Sequence, residues 1–160
     1  ADKVRIGVNT PFTLGLTNTF RYKSLDLNIS MYGVFNRWMT NATYSLLTDV
    51  TNLEQGLNQM VDVKDRWNSD NRQGTLPSSL QRFSGYGIGD YYLQKAWFIR
   101  VSNIDFGYRL PLRKGSLRFF ASLQNPILIT PYKGLDPESD SRAASYPNQR
   151  TYSVGFQFSY

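Results

Sequence analysis

The acidic segment DPESD, residues 136–140, holds the residue types best suited to bind a metal ion. Asp136, Glu138 and Asp140 stand at alternate positions, and carboxylate oxygens are the ligands that Ca²⁺ takes in proteins. The segment lacks the glycine and the distal glutamate of an EF-hand loop. A solvated acidic loop is therefore the favoured interpretation, and no metal site or cofactor is predicted.

Two further short motifs do not predict a function. The glycine-rich stretch GYGIGD, residues 85–90, resembles a nucleotide-binding loop in composition. It lacks the lysine of a P-loop and does not connect a strand to a helix, so an ordinary loop is favoured. Asn41-Ala42-Thr43 has the form of a glycosylation sequon, but so short a motif often arises by chance.

Aromatic residues in or beside the long polar segments are candidates for ligand contact. Aromatic faces stack on sugar rings and also grip peptide side chains. The competing interpretation is packing within the loops or against a second protein, and it is the favoured one. The residues are Trp38, Trp67, Tyr86, Tyr91, Tyr92 and Tyr132.

Composition argues against catalysis and against nucleic-acid binding. The chain has no Cys and no His, so it lacks the commonest general base and any thiolate ligand. No catalytic dyad or triad can be assembled, and the chain is not expected to be an enzyme. The net charge of +6 is spread along the chain as single residues, whereas a nucleic-acid site needs a clustered basic face.

The last ten residues, TYSVGFQFSY, show a complete two-residue alternation of apolar and polar side chains. Such a period is that of a β-strand with one apolar and one wet face. The same pattern recurs upstream and predicts five antiparallel strands near 12–22, 25–37, 96–110, 117–125 and 150–160. Two short connections, Lys23–Ser24 and Pro111–Ser116, predict hairpins.

The other connections are long. One runs from about residue 39 to 92 and another from about 125 to 150, which is unusual between neighbouring strands of a compact soluble domain. The first contains apolar residues at helical spacing and a capping-box pattern at Thr51 and Glu54, which together predict a short helix over 51–66.

Strands that alternate apolar and polar side chains, joined by short connections at one end and long connections at the other, predict a transmembrane β-barrel. The wet faces carry small polar residues that suit a water-filled lumen, and short turns on one side with long loops on the other are typical of outer-membrane barrels. Aromatic residues gather near the strand ends, where membrane girdles form: Tyr22, Tyr32, Trp38, Trp97, Phe98, Tyr108, Tyr152 and Tyr160. The alternative is a soluble β-barrel or sandwich that carries a small ligand in its interior.

Several blocks resemble one family of transporters. The chain is similar, from about Gly7 to Tyr160, to the C-terminal end of SusC/RagA-type TonB-linked outer-membrane transporters of Bacteroidota. Two departures are Ser69-Asp70, where the family commonly has Pro and Glu, and Pro126-Ile127, where it usually has Leu and an aromatic residue. The blocks are FTLGLTNTFRYKSLDLNISMYG, DRWNSDN, FIRVSNIDFGYRLP, LRFFASLQNPILITPYKGLDPE and SYPNQRTYSVGFQFSY.

The resemblance implies an all-β fold in which residues 1–160 form the C-terminal five strands of a 22-stranded barrel, while the plug domain and earlier strands lie outside this chain. It implies a nutrient importer of glycans or peptides in the cell outer membrane of a Gram-negative bacterium. The implied partners are the rest of the barrel and plug, outer-membrane lipid, a SusD-like surface lipoprotein, and TonB through the missing N-terminal part, with no nucleic acid.

Two sets of residues receive roles on this basis. Trp38, Trp67, Tyr86, Tyr91 and Tyr132 are expected to contact the substrate or the lipoprotein lid. The alternating residues of the last strand resemble the C-terminal signal by which outer-membrane proteins are recognised for assembly. They are Tyr152, Val154, Phe156, Phe158 and Tyr160.

Overall fold

A five-stranded antiparallel sheet organises the computed structural model of this chain. The structure describes residues 10–50, 52, 55–79, 90–139 and 145–160. The strands are β1 Phe12–Tyr22, β2 Leu25–Phe35, β3 Trp38–Thr40, β4 Leu93–Lys95, β5 Phe98–Leu112, β6 Gly115–Ile129 and β7 Thr151–Ser159. The large sheet has the strand order β1-β2-β5-β6-β7, and β3 and β4 pair in a separate two-stranded sheet. The helical elements bounded within these described ranges are α1 Ala42–Thr48 and two 3₁₀ turns, Val61–Asp65 and Asp90–Tyr92.

The five predicted strands of the large sheet are confirmed, with most ends within a few residues of the expected positions. Both hairpin turns have two residues. Lys23 adopts a left-handed φ of 54° in the first turn, and Gly115 has a φ of 128° directly after the second, Arg113–Lys114. The predicted turn Pro111–Ser116 is too wide, because Pro111 and Ser116 pair with each other in the ladder.

Strand β6 continues past its predicted end at residue 125. Between the paired positions on either side, two residues of β6, Asn125 and Pro126, lie opposite the single residue Ser102 of β5, so β6 carries one extra residue. Asn125 takes a left-handed φ of 51°, and Pro126 has no N–H to offer the ladder. A β-bulge is one of the few places where a sheet accepts a proline, so the strand resumes and runs to Ile129.

The predicted helix over 51–66 is wrong as a continuous helix. Val50 and Asn52 are helical, but residues 55–60 form a turn and irregular backbone, and Val61–Asp65 is only a 3₁₀ turn. Gly56, at a φ of 73°, adopts the left-handed conformation that terminates helices. Thr51 and Glu54, the proposed capping box, lie outside the described residues.

Helix α1 was not predicted from the sequence. Asn41 caps it, since its side-chain oxygen accepts a hydrogen bond from the Tyr44 N–H at 2.9 Å. Near the other end, the Thr48 hydroxyl donates to the Tyr44 carbonyl at 2.7 Å. No helix in the described part of the chain is long and apolar enough to cross a membrane.

The chain divides into two compact units. The sheet unit comprises residues 1–38, 95–132 and 147–160, and the loop unit comprises residues 39–94 and 133–146. Within the loop unit, the Leu76 and Tyr92 side chains are buried together with the polar Asn41 and Thr48. Arg66 stabilises this unit by donating to two backbone carbonyls, that of Pro77 at 2.7 Å and that of Thr48.

Candidate functional site

The register of the sheet gathers its large apolar side chains on one face. Directly paired positions make a continuous row across all five strands: Tyr22, Leu25, Tyr108, Phe119 and Phe156. A second row, closer to the middle of the strands, is Phe20, Leu27, Phe106, Ala121 and Val154. We call this surface the apolar face.

The apolar face is largely uncovered in the part of the chain that the structure describes. All five side chains of the first row are exposed, and Val154 in the second row is 86% accessible. Soluble monomers seldom leave a contiguous apolar patch of more than a few hundred Å² in water. The face therefore requires an apolar environment, and lipid provides one.

The opposite surface, the polar face, is built from rows of small hydrogen-bonding side chains. One row reads Thr17, Ser30, Asn103, Gln124 and Thr151, and the next reads Thr19, Asn28, Asp105, Ser122 and Ser153. Members bond to each other across strands: Thr19 donates to Asn28 at 3.0 Å and Ser122 to Asp105 at 2.7 Å. Such a surface is stable in contact with water.

Two of the aromatic residues expected in the membrane girdle belong to the polar face instead. Tyr32 pairs in register with Arg100, and Phe98 pairs with Val34, on the side opposite the apolar rows. Their rings contact each other edge to face at 5.8 Å, and Phe98 is fully buried. Tyr32 follows the two-residue alternation of β2, whereas Phe98 lies on this side because the register shift at Ser102 changes the phase of β5.

An ion pair crosses the polar face near the turns. Arg118 of β6 donates to the Asp26 carboxylate of β2 at 2.6 Å, although β5 lies between these strands. Gly107 of β5 makes the contact possible, because a Cβ at this position would lie 2.5 Å from the Asp26 oxygens and 2.6 Å from the Arg118 nitrogen. No local sequence pattern links these residues, because Asp26 and Arg118 are 92 positions apart in the chain.

The aromatic residues proposed for substrate or lid contact have different surroundings. Trp38, Trp67 and Tyr91 are exposed by 38%, 46% and 40%, while Tyr132 is only 5% exposed. Tyr132 therefore fits the alternative of packing within the protein, and Tyr86 lies outside the described residues. No ring contact joins any two of the four in the described ranges, although the Lys95 ammonium lies 5.8 Å from the Trp38 ring centroid.

Three tyrosines of the loop unit form an aromatic cluster. Tyr92 contacts Tyr91 and Tyr44 edge to face, with ring centroids 4.9 and 6.0 Å apart, and its hydroxyl lies 3.2 Å from the Thr48 hydroxyl. Burial, reinforced by Tyr91 and the Asp62 carboxylate, raises the pKa of Tyr44 to about 12. Tyr44 therefore stays neutral at physiological pH, and the cluster holds α1 against the 3₁₀ turn at Asp90–Tyr92.

Asp65 organises the loop that presents Trp67. Its carboxylate accepts hydrogen bonds from the Thr75 hydroxyl at 2.7 Å, the Thr75 N–H at 3.2 Å and the Asn71 amide at 3.3 Å. These bonds, that of the Thr75 hydroxyl foremost, hold the pKa of Asp65 below its usual value. The backbone N–H of Trp67 donates to the Leu76 carbonyl at 2.8 Å, which closes the base of the loop.

The acidic segment is arranged to bond with its own backbone. Asp136 is buried, and its carboxylate accepts the N–H of Glu138 at 2.9 Å. Asp140 lies outside the described residues. Within the described ranges, no three carboxylate side chains come together in a way that could hold a metal ion.

The residues proposed as an assembly signal lie on the apolar face of β7 and just beyond it. Tyr152, Val154, Phe156 and Phe158 pair with Leu123, Ala121, Phe119 and Leu117 of β6. Tyr160 follows the last strand residue and is 94% exposed. These four side chains of β7 therefore form a single line on the apolar face.

Comparison with known proteins identifies two TonB-dependent receptors that are similar in sequence to this chain. No family model matches the sequence. The chain is 31% identical, over its whole length, to the TonB-dependent receptor P3 of Formosa agariphila, and 29% identical, over 92% of its length, to the TonB-dependent receptor SusC of Bacteroides thetaiotaomicron. It spans only 17% and 15% of these curated relatives.

The fold agrees with that of solved transporter structures. The RagAB peptide transporter superposes on 94% of this chain with a TM-score of 0.73 and 26% sequence identity. A structure of the RagAB peptide importer in the open-open state gives a TM-score of 0.72. In both cases the match covers 17% of the longer chain.

Proposed function

Since the chain belongs to the SusC/RagA-like TonB-dependent transporters of the outer membrane, we propose that its sheet forms part of the wall of a barrel that imports glycans or peptides. The observation that supports this most directly is the apolar face, which continues in register across five strands and is exposed. The polar face then lines the lumen, and lipid surrounds the other side.

Residues 1–160 are proposed to be the C-terminal part of a 22-stranded barrel. Among the described residues, strands β1 and β7 are the edges of the sheet, and no further strand pairs with the outer side of either one. An unpaired backbone group costs several kcal/mol in hydrocarbon, so both edges need further strands. Those strands, together with the plug, come from outside these 160 residues.

The outward-facing side chains of β7 and Tyr160 are proposed to act as the signal for barrel assembly. Tyr152, Val154, Phe156 and Phe158 form one uninterrupted line, which an assembly factor could bind by adding a strand to the free edge of β7. Tyr160 would lie at the periplasmic interface, where tyrosine is favoured.

The loop unit is proposed to face the cell exterior, where it meets a SusD-like lipoprotein. Its two segments leave the sheet at the end opposite the hairpin turns, because β2, β5, β6 and β7 all connect to them there. Among the aromatic residues proposed for contact with lid or substrate, Trp38, Trp67 and Tyr91 are accessible, and Tyr86 stays a candidate. Energy would come from TonB through the N-terminal part.

No catalytic role is proposed, since the similar proteins are named as receptors and transporters. The second candidate, a soluble domain with an interior ligand, requires the apolar rows to be enclosed. Exposure of Val154 and Phe156 on the outer surface of the sheet favours the membrane barrel instead.

Fluorescence quenching in reconstituted full-length protein tests the orientation of the sheet. Val154→Cys and Ser153→Cys are neighbours on opposite faces, so each is labelled with the same small fluorophore. We expect brominated lipids to quench the label at 154 and an aqueous quencher to act at 153. Aqueous quenching at 153 with no lipid quenching at either position would support the soluble alternative. Uptake of labelled oligosaccharides and peptides by cells then distinguishes the two substrate classes.

A further inference from the structure

Stacked aromatic rings mark one end of the apolar face, the end opposite the hairpin turns. Phe12 of β1 is paired in register with Phe35 of β2, and their rings stack with centroids 5.2 Å apart. The Phe35 ring also stacks with that of Trp97, at 6.5 Å. Aromatic side chains are favoured where lipid meets water, so these three rings mark a membrane interface. We call them the aromatic row.

Two cations lie directly beyond the aromatic row, in the same sheet unit. Lys95 precedes Trp97 by two residues, and Ala96 and Phe98, at the alternate positions, are fully buried. The exposed Lys95 therefore shares the outer side of the sheet with Trp97. Arg37 is held beside this stretch, because its carbonyl accepts the Ala96 N–H at 2.8 Å.

Within the described ranges, no carboxylate compensates these two charges. Residues 34–40 and 93–99 contain one Arg and one Lys but neither Asp nor Glu, and neither cation forms an ion pair with a described residue. The Lys95 ammonium lies 5.8 Å from the Trp38 ring centroid, which holds the charge at the surface. At a membrane interface, lipid phosphates accept charge-assisted hydrogen bonds from such groups.

Trp38 adds a second kind of recognition beside the cations. Its side chain is 38% exposed, and aromatic faces stack on sugar rings. A headgroup that carries both a sugar and a phosphate therefore matches this surface better than a headgroup with a phosphate alone. We infer, on the premise of the proposed function, that Arg37, Lys95 and Trp38 bind the phosphorylated sugar headgroup of a membrane glycolipid. The acyl chains of this lipid then lie against the apolar face, which is continuous with the site.

Native mass spectrometry of the purified full-length transporter tests this inference. Delipidated protein is titrated with monophosphorylated lipid A, with the same lipid after removal of its phosphate, and with phosphatidylglycerol. Arg37→Gln and Lys95→Gln each remove one charge, whereas Lys95→Arg keeps it. Lys23→Gln is the matched control, because the Lys23 ammonium also lies over an aromatic ring, that of Tyr22 at 5.3 Å, but at the hairpin-turn end of the sheet.

We expect monophosphorylated lipid A to bind more tightly than the other two lipids. Loss of either cation should weaken its binding roughly five-fold, the contribution of one Lys or Arg near an anionic membrane surface. Lys95→Arg and Lys23→Gln should bind as the native protein does. Equally tight binding of the dephosphorylated lipid or of phosphatidylglycerol would overturn the inference, as would an equal loss of binding in Lys23→Gln.

Heat-modifiable gel mobility and outer-membrane localisation are measured for each of these proteins. A folded barrel whose lipid binding does not respond to substitution of Arg37 or Lys95 contradicts this inference alone. A protein that is not an outer-membrane barrel contradicts the proposed function.

Discussion

The sheet unit and the loop unit are stabilised in different ways. In the sheet unit, most large side chains of the apolar face are exposed, and β-ladder hydrogen bonds hold the strands in register. In the loop unit, polar side chains such as Asn41 and Thr48 are buried, and individual side-chain-to-backbone bonds hold the chain. The sheet depends on its surroundings for its apolar face, and the loop unit depends on a few specific residues.

The largest effect is expected from shortening the final strand. Deleting Phe158–Tyr160 removes the end of β7 and leaves Ser116 and Leu117 of β6 without their partners. Because unpaired backbone groups are strongly disfavoured in lipid, we expect loss of folded barrel in the outer membrane. Heat-modifiable mobility of the membrane fraction measures this. Normal assembly of the truncated protein would contradict the assigned role of these residues.

Opposite faces of one strand should differ in their tolerance of charge. We expect Val154→Arg to destabilise the reconstituted barrel by about 2–4 kcal/mol if it lies near the bilayer midplane, and by less near an interface. The control, Ser153→Arg on the polar face, should be close to neutral. Urea-induced unfolding in lipid vesicles measures both variants. Equal costs would contradict the assignment of the two faces.

The loop unit should respond to loss of a single cap. Asn41→Ala removes the acceptor for the Tyr44 N–H, and we expect a loss of about 1 kcal/mol in the local stability of α1. Amide hydrogen exchange over residues 42–48 reports this, with β5 and β6 as internal references. Asn41→Asp, which retains a capping oxygen, is the matched variant. Equally faster exchange in the sheet strands would show that the two units are not independent.

The smallest effect at neutral pH is expected from ionisation of the Tyr44 hydroxyl, which changes the stability of the loop unit only in alkaline solution. Its pKa in the folded protein is about 12, above the ordinary tyrosine value of 10.0. The unfolded chain therefore loses this proton first, so stability of the loop unit is full below pH 10 and declines as the pH rises towards 12. Hydrogen exchange or fluorescence near α1, compared with Tyr44→Phe, measures the decline. An unchanged pH profile in the variant would contradict this linkage.

The comparison between units also explains which parts of the fold could be predicted. Two-residue alternation is a local signal, so the phase of each strand and both hairpins were visible in the sequence. Residues such as Phe156 and Gln157 were assigned to opposite faces correctly. The loop unit has no such repeat. Its helix α1 depends on one capping residue, and its other segments depend on contacts such as those of Arg66 and Asp65.

The sequence by itself determined the strands, their alternating faces and the family resemblance, because each depends on residues close together in the chain. The tertiary structure alone decided how distant strands align. The bulge that places Asn125 and Pro126 opposite Ser102 sets the register of β5 against β6. Asp26 and Arg118 are 92 residues apart and meet only because β5 lies between their strands with Gly107 at the crossing point. Periodicity specifies the face on which a side chain lies, but only the alignment of the strands specifies which side chains on that face are neighbours.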